Sequence, residues 1–282
     1  MVEGHGAAGA PDLVPAPAGI MYSAFGAKYI AEAVESARSS LRRNHVPHLL
    51  FAAEEPEEVP DGLTVVRFEQ ISSDPFVDRI ANMRRSPFER TIYLDSDTYL
   101  IDDITDVFAV LDRYEMALSH ANYRGLQDPE VPRAFSEFNC GVVAWRAGER
   151  TSTFLQSWEE TYRTWLGHDV LPGQMGAANP SRSPIGDQPA FRRCAWEHAM
   201  KICVLPPEYN LRLGYRTTVV DRVHLIHGRF GDYERLAERM NRKIVPRTFP
   251  TPRPMRRLRQ QRRRAWRVLR ERVGVGGPRK AR

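Results

Sequence analysis

The alternation of apolar and polar positions divides the first half of the chain into strand-like and helix-like stretches. Gly19 to Phe25 is a short apolar run suited to a buried first strand, closed by Gly26. From Tyr29 to Arg43 the period changes, and Ile30, Ala33, Val34 and Ala37 share one helical face. His48 to Ala52 and Leu63 to Phe68 read as second and third strands, separated by the acidic loop Glu54 to Glu58. Asp74 to Met83 reads as a helix, and Arg90 to Asp95 as a fourth strand with an apolar body and an acidic end. Such alternation predicts an α/β fold with a mostly parallel central sheet and helices on both faces.

The second half is less regular. Met116 to Ser119 and Glu137 to Trp145 read as strands. Ser152 to Leu166 has the spacing of an amphipathic helix carrying Phe154, Trp158, Tyr162 and Trp165. Pro172 to Pro184 is rich in Gly, Pro, Asn and Ser and reads as a mobile loop, followed by a helix from Ala190 to Met200. Val223 to His227 is a last strand, ended by Gly228, and Pro250 to Pro254 closes the globule.

Composition changes this picture in two places. Residues 1–17 are rich in Gly, Ala and Pro, without the basic start and apolar core of a secretory signal, and read as a flexible leader before a domain over 18–250. Net charge is +6, but 251–282 hold 12 Arg and 1 Lys against Glu271, while the remainder holds 28 basic against 34 acidic side chains. A basic tail is thus joined to a mildly acidic body. Three cysteines without CxxC spacing imply neither a disulfide framework nor a zinc knuckle, so a reducing cytoplasm is expected. No run approaches the ~18 apolar residues that crossing a bilayer requires.

The chemistry concentrates at Ile92 to Ile101. Asp95 and Asp97 stand two apart at the carboxyl end of an apolar strand, where open α/β sheets bind ligands. In a continuing strand i and i+2 face the same way, so both carboxylates converge on one cation. Hard oxygen ligands select Mn2+ or Mg2+ and leave positions for substrate phosphates. A helix cap or loop turn is the plainer reading of such a pair.

Arg90 to Leu100 resembles the metal-binding segment of GT-A-fold glycosyltransferases, particularly the glycogenin-like family 8 and its bacterial relatives. Phe138 to Val143, Gly186 to Ala190 and Val223 to Gly228 resemble that family's Phe-Asn, Asp-Gln and late histidine segments, in its order, over roughly residues 18–235. The resemblance implies a GT-A-type, Rossmann-like single domain and a hexosyl-type transferase that takes a sugar from a nucleotide-diphosphate donor, with UDP favoured over GDP, and retains anomeric configuration. It implies Asp95, Asp97 and His227 as metal ligands, with His224 expected to be the more buried of the two histidines. It implies Asn139, Asp187 and Gln188 beside the reacting sugar. The turn of Tyr22, Ser23, Ala24 and Tyr29, together with Arg79 and Ser96, would bind the donor. The family's downstream Lys-Pro-Trp pattern is absent, and Arg229 stands where its guanidinium could replace that lysine on the phosphates. The acceptor would be a carbohydrate, a lipid-linked molecule or a small molecule. A sugar-phosphate nucleotidyltransferase would show a Gly-rich basic loop after the first strand, and Tyr22 to Ala27 is not one. A catalytically inert nucleic-acid-binding scaffold would explain the tail but not the ordered motifs.

In the tail, Met255, Leu258, Ala265, Trp266, Leu269 and Val273 fall roughly on one helical face among arginines. Such a helix suits an anionic membrane surface with Trp266 at the headgroup boundary, which would place the protein peripherally at the inner membrane face. A solvated tail and non-specific nucleic-acid contact are the other readings. Sedimentation with anionic liposomes separates them: the full chain is expected to sediment and a chain stopped at Pro250 to stay in solution. Equal sedimentation eliminates the membrane role.

Overall fold

The computed structural model describes residues 13–122, 128–167 and 186–249; most of the expected leader, the loop over 172–184 and the tail over 251–282 lie outside them. In chain order the first part runs β1 (Ala16–Ala24), α1 (Ala27–Leu41), β2 (His48–Ala52), β3 (Leu63–Arg67), α2 (Pro75–Met83) and β4 (Phe88–Leu94). Next come β5 (Thr98–Leu100), α3 (Val107–Val110), β6 (Met116–His120), β7 (Phe138–Arg146) and α4 (Glu149–Gly167). The last part comprises α5 (Gln188–Glu197), β8 (Ile202–Val204), β9 (Leu211–Arg212), β10 (Thr217–Val219), β11 (Leu225–His227), α6 (Tyr233–Asn241) and β12 (Arg247–Phe249).

Seven strands form the central sheet in the order β3-β2-β1-β4-β7-β6-β8. Four of its six pairings are parallel, and β7 runs against both its neighbours, β4 and β6. That reversal matters for the site. The first residues of β7 lie where β4 ends, so Asn139 and Gly141 meet the chain just past Leu94. Both faces of the sheet are covered, which is why β1 and β2 read as nearly continuous apolar runs. Successive residues of β1 part to opposite sides. Met21 joins a core with Val77, Phe154 and Trp158, while Ile20 and Tyr22 join one with Ile30, Ala33 and Leu111.

Two smaller sheets, β5-β11-β9 and β10-β12, stand beside the large one. They share a separate core of Leu211, Val219, Val223, Ile226, Met240 and Phe249. Sequence spacing misses most of this region because its strands have two or three residues, too short to show a period. Helix α6 is a further addition to the expected elements, although its signals are present. Asp232 caps it, accepting from Arg235 N at 3.0 Å, and Leu236 and Met240 follow at helical spacing. β1 begins at Ala16, inside the expected leader, because Ala16 and Ala18 already pair with Phe88 and Arg90 of β4. Among the described residues no helix is long and apolar enough to cross a membrane.

His48 ties β2 to α1. Its ring is buried, with Nδ1 2.7 Å from Val46 O and Nε2 2.7 Å from Ser40 Oγ. Burial disfavours the imidazolium and holds the ring at about 4, below its ordinary 6.5. Between those values the unfolded chain takes up a proton that the folded ring refuses, so stability falls as pH drops through this window. The loss should reach about 3 kcal/mol by pH 4. Urea melts from pH 7 to 4 measure it, and His48→Leu should flatten this part of the pH slope whatever its absolute stability.

Candidate active site

The site is built around a change of sheet. β4 pairs with β7 as far as Leu94 and Val142, and Asp95 N then donates to Gly141 O at 2.8 Å. The strand does not continue as expected. Residues 95–97 form a turn in which Thr98 N and Oγ1 both bond Asp95 O, at 3.2 and 2.8 Å. The chain then enters β5, which pairs with β11 so that Thr98 faces His227. Gly228 N closes the other side on Asp97 O at 2.8 Å, with a φ of 117° that favours glycine. The two aspartates therefore converge because a turn folds them together, and strand alternation plays no part.

Asp95, Asp97 and His227 each offer one ligand atom, and these atoms lie within 4.8 Å of one another. His227 Nε2 is 3.4 Å from Asp97 Oδ1 and 3.8 Å from Asp95 Oδ2. The remaining carboxylate oxygens are held elsewhere. Asp95 Oδ1 accepts from Arg79 at 3.1 Å and from Tyr93 OH at 2.9 Å, and Asp97 Oδ2 meets Arg229 at 3.2 Å. One oxygen of each carboxylate is thus left toward the cluster, with one imidazole nitrogen. That donor set suits Mn2+ or Mg2+ and is too small to fill a coordination sphere. Burial pushes the Asp97 carboxyl up, but contact with the His227 ring and the Arg229 charge outweighs it, bringing it down to about 2.

Gly141 makes the convergence possible. A Cβ there would overlap the His227 ring and stand 2.6 Å from Asp95 Oδ2. His224, expected to be the more buried histidine, is the more exposed. It stacks on Tyr209 with ring centres 4.5 Å apart and bonds Asp103 O through Nδ1.

Behind the turn lies a buried charge group. Arg79 on α2 is 5% exposed, ion-paired to Asp95 and to Asp187, and its guanidinium lies 4.9 to 5.9 Å from the rings of Phe76, Tyr93 and Trp158. Burial disfavours its charge, yet the Asp95 carboxylate more than compensates, so the cation is retained. Asp187 precedes α5, but its side chain makes no capping bond. Gln188 Oε1 accepts from Asn139 Nδ2 at 2.8 Å and from Cys140 N at 3.4 Å. Asn139 Oδ1 accepts from Asn210 Nδ2 at 2.8 Å, and Asn210 Oδ1 lies 2.9 Å from His227 Nδ1. Asn210 escapes sequence reasoning because a lone Asn before a two-residue strand carries no motif. Tyr93 looks like one more apolar strand residue.

The expected donor turn is divided. Tyr22 is fully buried under α1, so its side chain packs the core, and Ala24 is buried as well. Ser23, near the carboxyl end of β1, accepts from Asn82 Nδ2 at 3.0 Å. Tyr29 is 42% exposed, with the Arg229 guanidinium 5.6 Å above its ring. Arg229 is itself anchored by two bonds to Glu32, at 2.7 and 2.6 Å. Ser96 is partly exposed in the turn between the aspartates.

The sequence matches no protein-family model and no curated protein. Its fold is similar to solved glycosyltransferases of GT-A type. Galactosyltransferase LgtC, solved with donor and acceptor sugar analogues, aligns over 74% of this chain and 86% of its own, with TM-score 0.50 and 12% identity. Mouse xyloside xylosyltransferase 1 aligns over 76% of this chain and 98% of its own, with TM-score 0.51 and 17% identity. At such identities the likeness shows the fold.

Gly141→Ala is expected to lower stability by about 1–3 kcal/mol through overpacking against His227 and Asp95. Gly214, in the turn after β9, where an added Cβ would meet nothing within 4 Å, is the control, and Gly214→Ala should stay within about 0.5 kcal/mol. Equal denaturation midpoints for the two variants would contradict the crowding at Gly141.

Proposed function

We propose that this protein is a divalent-metal-dependent glycosyltransferase that moves a sugar from a nucleotide-diphosphate donor, a UDP-sugar in first place, to an acceptor. The observation that carries this reading is the convergence of Asp95, Asp97 and His227 at the carboxyl edge of the sheet, beside Arg229. Mn2+ or Mg2+ held by those three residues would act as a Lewis acid on the donor diphosphate. Arg229, fixed by Glu32 and 3.2 Å from Asp97, would add positive charge beside the cluster, where charge grows on the departing nucleoside diphosphate. Tyr29, beside it, offers an exposed ring for the nucleoside.

Gln188 and Asp187 lie deeper. With its oxygen committed to Asn139 and Cys140, Gln188 presents Nε2 as a donor for a sugar hydroxyl. Asp187 is buried and tied to Arg79, which makes it a poor nucleophile for the anomeric carbon. This favours front-face substitution. The acceptor oxygen bonds to the anomeric carbon on the side from which the phosphate oxygen departs, and that oxygen takes the acceptor proton, so configuration is retained. The acceptor is a carbohydrate, lipid-linked or small molecule, and the anionic membrane surface suggested by residues 251–282 would bring a lipid-linked one within reach.

A thermal-shift screen of UDP- and GDP-sugars with and without Mn2+ tests this. The true donor should stabilise in the presence of metal, by about 2.7 kcal/mol at a hundredfold excess over Kd. Asp97→Asn should abolish the metal dependence and turnover, and NMR of the product should show the donor's anomeric configuration. Full turnover in Asp97→Asn would refute the metal reading, and an inverted product the front-face route.

A further inference from the structure

The ring of His227 has two nitrogens, and their surroundings differ in a way that leaves only one for a ligand. We propose that Asn210 is a positioning residue that holds the proton on His227 Nδ1, so that Nε2 faces Asp95 and Asp97 as the coordinating atom. This rests on the metal reading above for its consequence, but its premise is independent of any ion.

Side-chain amides can be turned end for end, and backbone N–H groups cannot, since they only donate. Two of them settle the orientation here. Cys140 N points at Gln188 Oε1 at 3.4 Å, and Gly141 N points at Asn139 Oδ1 at 3.3 Å. With Asn139 Oδ1 fixed as an acceptor, the Asn210 atom 2.8 Å from it must be the donor Nδ2. Asn210 Oδ1 is then the atom 2.9 Å from His227 Nδ1, and that contact is a hydrogen bond only if Nδ1 carries the proton. Asn139, Asn210 and His227 are all 5% exposed or less, so water does not supply an alternative partner cheaply. The relay ends at Gln188, whose Oε1 also accepts from Asn139 Nδ2 at 2.8 Å. The pairing of β9 with β11 brings Asn210 to the histidine, while β7 supplies the two anchoring amides. An atom beside the diphosphate site is thereby set by backbone groups of a strand in the other sheet.

The test is 15N NMR of the histidine ring with and without Mg2+, which is diamagnetic, together with Mn2+ affinity by electron paramagnetic resonance. In the unsubstituted protein Nδ1 should carry a hydrogen-bonded proton in both states. Asn210→Leu should lose that signal and weaken Mn2+ binding by about ten- to hundredfold. Asn210→Asp, which keeps the acceptor for Nδ1 but sets its second oxygen against Asn139 Oδ1, should restore the Nδ1 signal at a cost in melting temperature. A purely structural role would lower the melting temperature of the variants and leave the tautomer unmoved. A bare Nδ1 in the unsubstituted protein overturns the assignment, as does a folded Asn210→Leu with signal and affinity unchanged. A protonated Nδ1 in a protein that binds no Mn2+ upholds the assignment and removes the metal reading instead.

Discussion

Two backbone hydrogen bonds hold the site in register: Asp95 N to Gly141 O and Gly228 N to Asp97 O. Between them the chain leaves the seven-stranded sheet and joins a three-stranded one. Each bond fixes one aspartate against a different sheet, so carboxylate separation is set by the main chain. The reversed direction of β7 is part of the same constraint. A parallel β7 would carry Asn139 and Gly141 to the far edge, away from Asp95.

Behind this clamp, one buried cation serves two carboxylates. Arg79 joins Asp95 to Asp187, so the Asp95, Asp97 and His227 cluster and the start of α5 are parts of one electrostatic unit. Such an arrangement costs desolvation and is kept only where the partners are close and well oriented. Its aromatic surround of Phe76, Tyr93 and Trp158 favours the flat guanidinium, which a lysine would not match.

The strands and helices up to Leu94 are legible in the sequence because long elements covered on both faces leave strong periodic signals. Asp95, Asp97 and His227 are legible as residue types at motif positions, although alternation along a strand is the wrong cause for the convergence of the aspartates. The apolar pattern suggests a strand that runs on, and what marks its end is one residue, Thr98, bonding back to Asp95 O through both its N–H and its hydroxyl. The relative burial of His224 and His227 is the reverse of the expectation because it depends on pairing with the two-residue β9, which no local pattern announces. Asn210 and Glu32 act through contacts across 17 and 197 positions, and sequence spacing does not report partners that the fold alone brings together.

The three-stranded sheet and its β10-β12 neighbour keep a core of their own, with Leu211, Val223 and Met240 at its centre. Asp95 lies at the border of the large sheet, and His227 belongs to the small one. An ion gripped by both would therefore work as a rivet across the boundary of two sheets, where Leu100 and Leu225 already share the main core, adding mechanical cohesion to whatever chemistry it performs. It would join links already made there by the turn, by Arg229 reaching across to Glu32, by Asn210 bonded to Asn139 and by Ser36 bonded to Thr98.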